Sequence, residues 1–200
     1  MYNKRSICAG VMIGLAGLLY LYLGGALGAL AFGLGLLAVC ALKLDLFTGK
    51  MRAFWNGEIS LVQLGITLLG NIVGILFTVG VAVFLHSSEH LMYSAQAIMT
   101  MRSGLPFGVL FMRAVLCGIC VQMAVDMWKQ GVERNDTHPF LAMLPATAFV
   151  LLGCNHCIAD TLYLVYSGAW GQTLQIFEAL AGNFIGASLF VVASSGIPTR

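Results

Sequence analysis

The residue in this sequence with the plainest chemical capacity is His156. It lies midway through residues 138–165, an otherwise apolar segment, with Asn155 before it and Asp160 four positions on. An ionisable side chain inside such a segment marks a functional site by default. A neutral imidazole donates a hydrogen bond from one nitrogen and accepts one at the other. It can therefore hold a hydroxyl, such as that of Thr48, and still touch a passing anion or acid. The plainer alternative is a structural histidine satisfied by a neighbouring carbonyl. Cys154-Asn155-His156-Cys157 also reads as a CxxC pair, which does thiol–disulfide chemistry when its first thiol is exposed and activated. Cys154, His156, Cys157 and Asp160 can be drawn as metal ligands, but they crowd one another on a regular helix. No second CxxC is spaced to complete a zinc site, and Cys117 and Cys120 sit in another apolar run. The expectation is a chain with no metal, no cofactor and no catalytic residue.

A second polar interruption runs through Lys43, Asp45 and Leu46-Phe47-Thr48-Gly49. Asp45 is costly in a membrane unless paired, and Lys43 is close in sequence. Gly49 would help the chain turn after Thr48. Non-helical backbone in hydrocarbon survives only where it is buried in protein or lines a cavity. Both interruptions therefore read as cavity-lining loops, the plain alternative for the first being the end of a span.

The elements that must position these residues follow from composition. Of the 200 residues, 60% are hydrophobic and 9% charged; a soluble domain has about 45–50% apolar and about 25% charged residues. A soluble globule, a disordered chain and a secreted disulfide scaffold are excluded. The net charge of +2 is too small to suggest a polyanion, so no nucleic acid is expected. The six cysteines read as small hydrophobes facing other helices. The fold class is an all-α polytopic membrane protein in one transmembrane domain, residues 1–200. Residues 6–42 carry no Asp, Glu, Lys or Arg and suit two spans, with a turn at Gly24-Gly25; the second runs from about 26 to 44. Residues 50–58 suit a short interfacial helix, 60–85 a third span, 86–104 a mixed loop and 106–128 a fourth span. Residues 129–136 form a polar turn, 138–165 an interrupted fifth span and 173–194 a sixth. With both termini in the cytoplasm, Lys4, Arg5, Lys43, Lys50, Arg52, Lys129, Arg134 and Arg200 lie inside, and Arg102 and Arg113 outside. That is a positive-inside bias.

The sequence also repeats. Gly70-Asn71-Ile72-Val73-Gly74 matches Gly182-Asn183-Phe184-Ile185-Gly186, and Gly70 lies 22 positions after Thr48 as Gly182 lies 22 after Asp160. Two halves of three spans, about 6–86 and 106–194, must be inverted relative to each other. Inverted repeats with a broken helix in each half, here spans two and five in an aquaporin-like arrangement, place a pathway between the breaks. Gly70, Asn71, Gly74, Gly182, Asn183 and Gly186 are expected to pack helices.

On these motifs the sequence resembles the formate/nitrite transporter family over nearly its whole length. The carriers are Phe32 and Leu46-Phe47-Thr48, Phe149 seven positions before His156 in Gly153-Cys154-Asn155-His156, and the Gly-Asn pairs at 70–71 and 182–183. The resemblance implies a homopentamer in the bacterial cytoplasmic membrane with one pore per protomer. The pore would pass small monovalent anions or their conjugate acids, of the formate, nitrite and hydrosulfide class, together with protons. Phe32, Leu46, Phe47 and Phe149 would form apolar constrictions, with Thr48 and His156 facing each other between them and Asn155 and Gln122 on the pathway. The chain departs from the family pattern at Asn155, where an acid is usual, and at Gln122, where an asparagine is usual. It also lacks a clear vestibule cation near Pro106, for which Arg102 is a candidate. The competing readings are a channel for small neutral solutes of the urea or amide type and a membrane thiol oxidoreductase using Cys154 and Cys157.

Overall fold

The computed structural model describes residues 2–85 and 89–195. Residue 1, residues 86–88 of the expected loop, and Arg200 from the charge bias lie outside the described residues. In chain order the helices are α1 (Tyr2–Leu23), α2 (Gly25–Ala41), α3 (Met51–Trp55), α4 (Leu61–Phe84), α5 (Glu89–Ser103), α6 (Phe107–Glu133), α7 (Phe140–Leu151), α8 (Cys157–Ser167) and α9 (Thr173–Ser194). Single 3-10 turns occupy Phe47–Gly49 and Trp170–Gln172, and no strand occurs among the described residues. By length and composition α1, α4, α6 and α9 can each cross a membrane, while α2 and α7 are shorter apolar helices.

Local chemistry sets the boundaries. Gly24 and Gly25 take φ of 63° and 50° between α1 and α2, a backbone that only glycine adopts without steric cost. Ser60 and Gln63 close a reciprocal capping box at the start of α4, which satisfies two otherwise orphan N–H groups. Gly168, at φ 69°, ends α8 in the left-handed conformation.

The main packing is pairwise. α1 lies on α4 and α6 on α9, with α2 against α7 joining the halves and α5 against α8. The expected packing glycines sit in the first two contacts. A Cβ on Gly74 would collide with the Ile7 carbonyl oxygen, and one on Gly70 with Ser6. A Cβ on Gly186 would collide with the Val115 carbonyl, and one on Gly182 with the Ala114 side chain. Such backbone approach is how small residues bind helices together in lipid, where apolar burial alone drives little.

Three boundaries differ from the sequence reading. Residues 89–103 are helix rather than loop, because Leu91, Ala95, Met99 and Arg102 share one buried face at helical spacing. The polar turn expected over 129–136 is helical through Glu133 and turns at Arg134 and Asn135, the latter at φ 53°. α2 stops at Ala41 instead of about 44, with Lys43 at φ 53°.

Much of the surface is apolar, and several polar and charged side chains are buried. Leu27, Leu69, Phe77, Phe84, Leu174 and Val192 are exposed, while Asp45, Arg102, Asp126, Asn155, His156 and Asp160 are buried. A patch of that extent is covered by lipid or by protein rather than water.

Candidate functional site

Two stretches of chain leave the helical path inside the molecule, residues 42–50 and 152–156. Their free backbone groups are held by one asparagine each. Asn71 Oδ1 accepts from the Phe47 N–H at 2.8 Å, and its Nδ2 donates to the carbonyls of Ser6 and Asp45, both at 2.8 Å. Asn183 Oδ1 accepts from the Cys157 N–H at 2.9 Å, and its Nδ2 donates to the carbonyls of Ala114 and Asn155, both at 2.8 Å. An amide is the one uncharged side chain that accepts and donates twice from a single rigid head. Both asparagines are fully buried, so without them the Phe47 and Cys157 N–H groups and the Asp45 and Asn155 carbonyls would be orphans in an apolar surround. The matched bonds span 24 residues in the first half and 26 in the second. The equal 22-residue intervals from Thr48 and Asp160 are therefore not the register in which the two segments correspond.

His156 is the N-cap of α8. Its Nδ1 accepts from the Ala159 N–H at 3.2 Å, and its Nε2 lies 3.2 Å from Thr48 Oγ1. A backbone N–H can only donate, so the neutral ring carries its proton on Nε2 and donates it to Thr48. The threonine hydroxyl keeps its own proton to offer elsewhere. Phe149 stacks on the imidazole with ring centres 5.7 Å apart, and Phe32 meets Phe149 and His156 edge-on at 5.7 and 6.3 Å.

One cavity adjoins this group, and a second lies beside the segment that carries Thr48. The smaller, about 40 Å³, is lined by Phe32, Phe149, His156, Arg102 and Asp160 among others. The larger, about 440 Å³, has Leu46 and Gly49 in its wall and Arg5, Lys43, Lys50 and Lys129 around it, with Glu133 as its acid. Gly49 turns no corner by positive φ. Its Cβ would sit 2.8 Å from a Val125 methyl, so a side chain here would force Val125 of α6 to shift.

The structure thus gathers Phe32, Thr48, Phe149 and His156 into one group, with Leu46 in the wall of the larger cavity. It sets two other residues apart. Phe47, expected in the constriction, lines a separate open apolar groove with Leu64, Phe177 and Phe184. Gln122, expected on the pathway, lines neither cavity; its Oε1 accepts from the Met51 N–H at 3.1 Å and its Nε2 donates to Asp126 at 2.8 Å. One methylene longer than asparagine, it reaches the start of α3. Asn155 is buried against Asn183 through its carbonyl, and its side-chain Oδ1 has no partner among the described residues.

Charge pairing also differs from the sequence reading. Asp45 pairs with Lys50 and, at 3.7 Å, with Arg5, not with Lys43. Arg52 binds Asp126 at 2.7 and 2.8 Å and Ser194 at 2.6 Å, tying α3 to α6 and α9. Arg102 meets Asp160 at 2.5 Å. Both of the last two pairs escape sequence reasoning. Nothing in sequence signals Arg52–Asp126, but the buried-face spacing of 89–103 would have put Arg102 inside. Cys154 and Cys157 are buried free thiols, and Cys8 is exposed rather than packed. No group of three or more metal-ligating side chains occurs among the described residues.

Apolar over much of its outside, with buried polar groups and facing non-helical segments each beside a cavity, this fold defines a helical membrane protein of channel architecture. The chain belongs to the formate/nitrite transporter family, whose family model matches residues 2–195. Among solved structures it is similar to a pentameric formate channel with formate bound, at TM-score 0.81 and 23% identity over 96% of this chain and 94% of that one. It is also similar to an FNT family ion channel, at TM-score 0.79 and 23% identity over 97% and 88%. At these identities the likeness is one of fold. No curated protein matches the sequence.

Proposed function

We propose that the chain passes small monovalent anions or their conjugate acids, of the formate, nitrite and hydrosulfide class, in a proton-linked way. The observation that carries this reading is the buried Thr48–His156 pair, with the His156 ring against Phe32 and Phe149 and in the wall of the smaller cavity. Family membership and the likeness to a formate channel support it.

The architecture proposed is a single domain of six spans in two inverted repeats, about 6–86 and 106–194. α2 with the segment after it forms the second span, and α7 with α8 the fifth. The twin asparagine bond sets favour this register. A homopentamer in the bacterial cytoplasmic membrane agrees with the apolar exterior and with the pentameric neighbour. The cations around the larger cavity favour cytoplasmic termini on that side.

A bare anion crossing Phe32, Phe149 and Leu46 would lose hydration that nothing apolar replaces. Such a loss costs many kcal/mol, and the group neutralises instead. The permeant therefore crosses as the neutral acid. Thr48, with its own proton spare, supplies a hydrogen bond to it, and His156, fixed by its two bonds as the Nε2–H tautomer, orients that hydroxyl. Gln122 acts as a positioning residue for α3.

The test is uptake into proteoliposomes of labelled formate, nitrite, hydrosulfide and urea, with and without an inward proton gradient. Monoacid uptake that rises with the gradient and vanishes in His156→Ala supports the reading. Urea flux indifferent to the gradient would move the chain to the neutral-solute channels.

A further inference from the structure

The Arg102–Asp160 pair is not explained by stability. The two side chains come from α5 and α8 and are 5% and 3% exposed. Taking two charges out of water costs several kcal/mol each, and a buried pair often contributes less than apolar packing of the same volume. This pair instead lines the small cavity beside His156. Its bonding is incomplete. Arg102 Nε has no partner among the described residues, and Nη2 reaches the Cys154 carbonyl at only 3.4 Å. The Tyr163 ring lies 5.7 Å from the guanidinium carbon. The cavity measures about 40 Å³, against roughly 10–15 Å³ for one water. A guanidinium with spare donors, one carboxylate and room for a few heavy atoms stand together.

We propose that Asp160 is an exchangeable counter-ion: a small anion in the cavity takes Arg102 from Asp160, and Asp160 takes up a proton as it is displaced. This rests on the weak-acid reading above and deepens it by naming the proton carrier. Two anions on one buried guanidinium would leave a net charge in a low dielectric, and one proton removes it. With formate in the cavity, the O–H bond of Asp160 then breaks and an O–H bond forms on the formate oxygen. Formic acid leaves past His156, and the Asp160 carboxylate returns to Arg102. His156 is less suited to carry that proton, since both its nitrogens are already spent on Ala159 and Thr48. The other titratable groups facing Asp160 are Tyr20 of α1, Cys117 of α6, and Cys157 and Tyr163 of α8, with Cys154 just before that helix and Arg113 beyond Gly153. α4 and α9 place no titratable side chain in the cavity wall.

The experiment titrates formate into the full-length protein in detergent, in weak buffer with a pH indicator. Wild type is expected to take up about one proton per protomer at saturation, by linkage. Asp160→Asn and Arg102→Gln take up none, and Asp160→Glu restores the uptake. If Asp160→Asn fails to assemble, Arg102→Gln with Asp160→Asn removes both charges and is expected to take up none. Formate binding to wild type without proton uptake overturns the proposal, as does wild-type uptake in any variant lacking the carboxylate. Loss of the weak-acid reading looks different: proton uptake on formate addition persists, but proteoliposomes show no gradient-dependent flux.

Discussion

The segments at 42–50 and 152–156 pose one backbone problem and serve unlike ends. In each, a buried asparagine accepts one N–H and donates to two carbonyls. Beyond that shared support the two diverge. The first passes through a 3-10 turn into the short α3 and faces a broad cavity ringed by cations. The second runs straight into α8, with His156 as its cap, and faces a small cavity holding one ion pair. The same scaffold thus carries different chemistry, assigned by the side chains hung on it, a hydroxyl from one side and an imidazole from the other.

The comparison breaks first at the asparagines. Asn71→Leu and Asn183→Leu each orphan two buried backbone groups, one N–H and one non-helical carbonyl, at about 1–3 kcal/mol apiece. Neither variant is expected to yield folded protein, as judged by size exclusion and thermal unfolding in detergent. A stable oligomer from one but not the other would end the equivalence of the two segments. The next effect separates the two ends of the central hydrogen bond. His156→Ala is expected to cut gradient-driven formate uptake about a hundredfold and Thr48→Val about tenfold, or roughly 2.7 and 1.4 kcal/mol of barrier. Equal losses would mean the hydroxyl contributes as much as the ring. Phe149→Ala tests the narrow side alone: propionate uptake is expected to rise about tenfold relative to formate, and an unchanged ratio counts against Phe149 as a constriction. Lys129→Gln tests the broad side and has the smallest effect. Formate uptake is expected to drop about twofold at low ionic strength and not at all in high salt, because exposed charge steers and is screened.

Much of this is legible in the chain itself. Long apolar runs place α1, α4, α6 and α9, and the polar interruptions at Asp45 and His156 mark where the helices stop. The Gly-Asn repeat points to the two asparagines, although as packing residues; that they hold backbone is invisible without the segments they hold. α5 escapes because Glu89, His90, Ser94, Gln96, Thr100, Arg102 and Ser103 break up its apolar residues, so a search for apolar runs passes over it. Its arginine then reads as part of a loop, and its partner is 58 positions away on another helix. Asp45 has Lys43 as its nearest cation in sequence, but Lys43 sits at positive φ and the chain brings Lys50 and Arg5 round instead. Gln122 and Phe47 are placed by resemblance, which carries position along the chain; the bonds of Gln122 to Met51 and Asp126 and the groove that Phe47 lines are read only from the structure.

The asparagine bond sets also bear on how the protein is made. Every partner of Asn71 precedes it in the chain, at Ser6, Asp45 and Phe47, and every partner of Asn183 precedes it too, at Ala114, Asn155 and Cys157. The ribosome therefore delivers the keystone of each half last. Once α4 has been inserted, the first half has all it needs to close its own backbone, before the second half exists. Thr48 with His156, Met51 with Gln122, Arg52 with Asp126 and Ser194, and Trp55 with Ser188 are bonds that must wait for the later helices. Synthesis order thus sets the locked scaffolds first and leaves the polar centre of the molecule for the final docking of one half on the other.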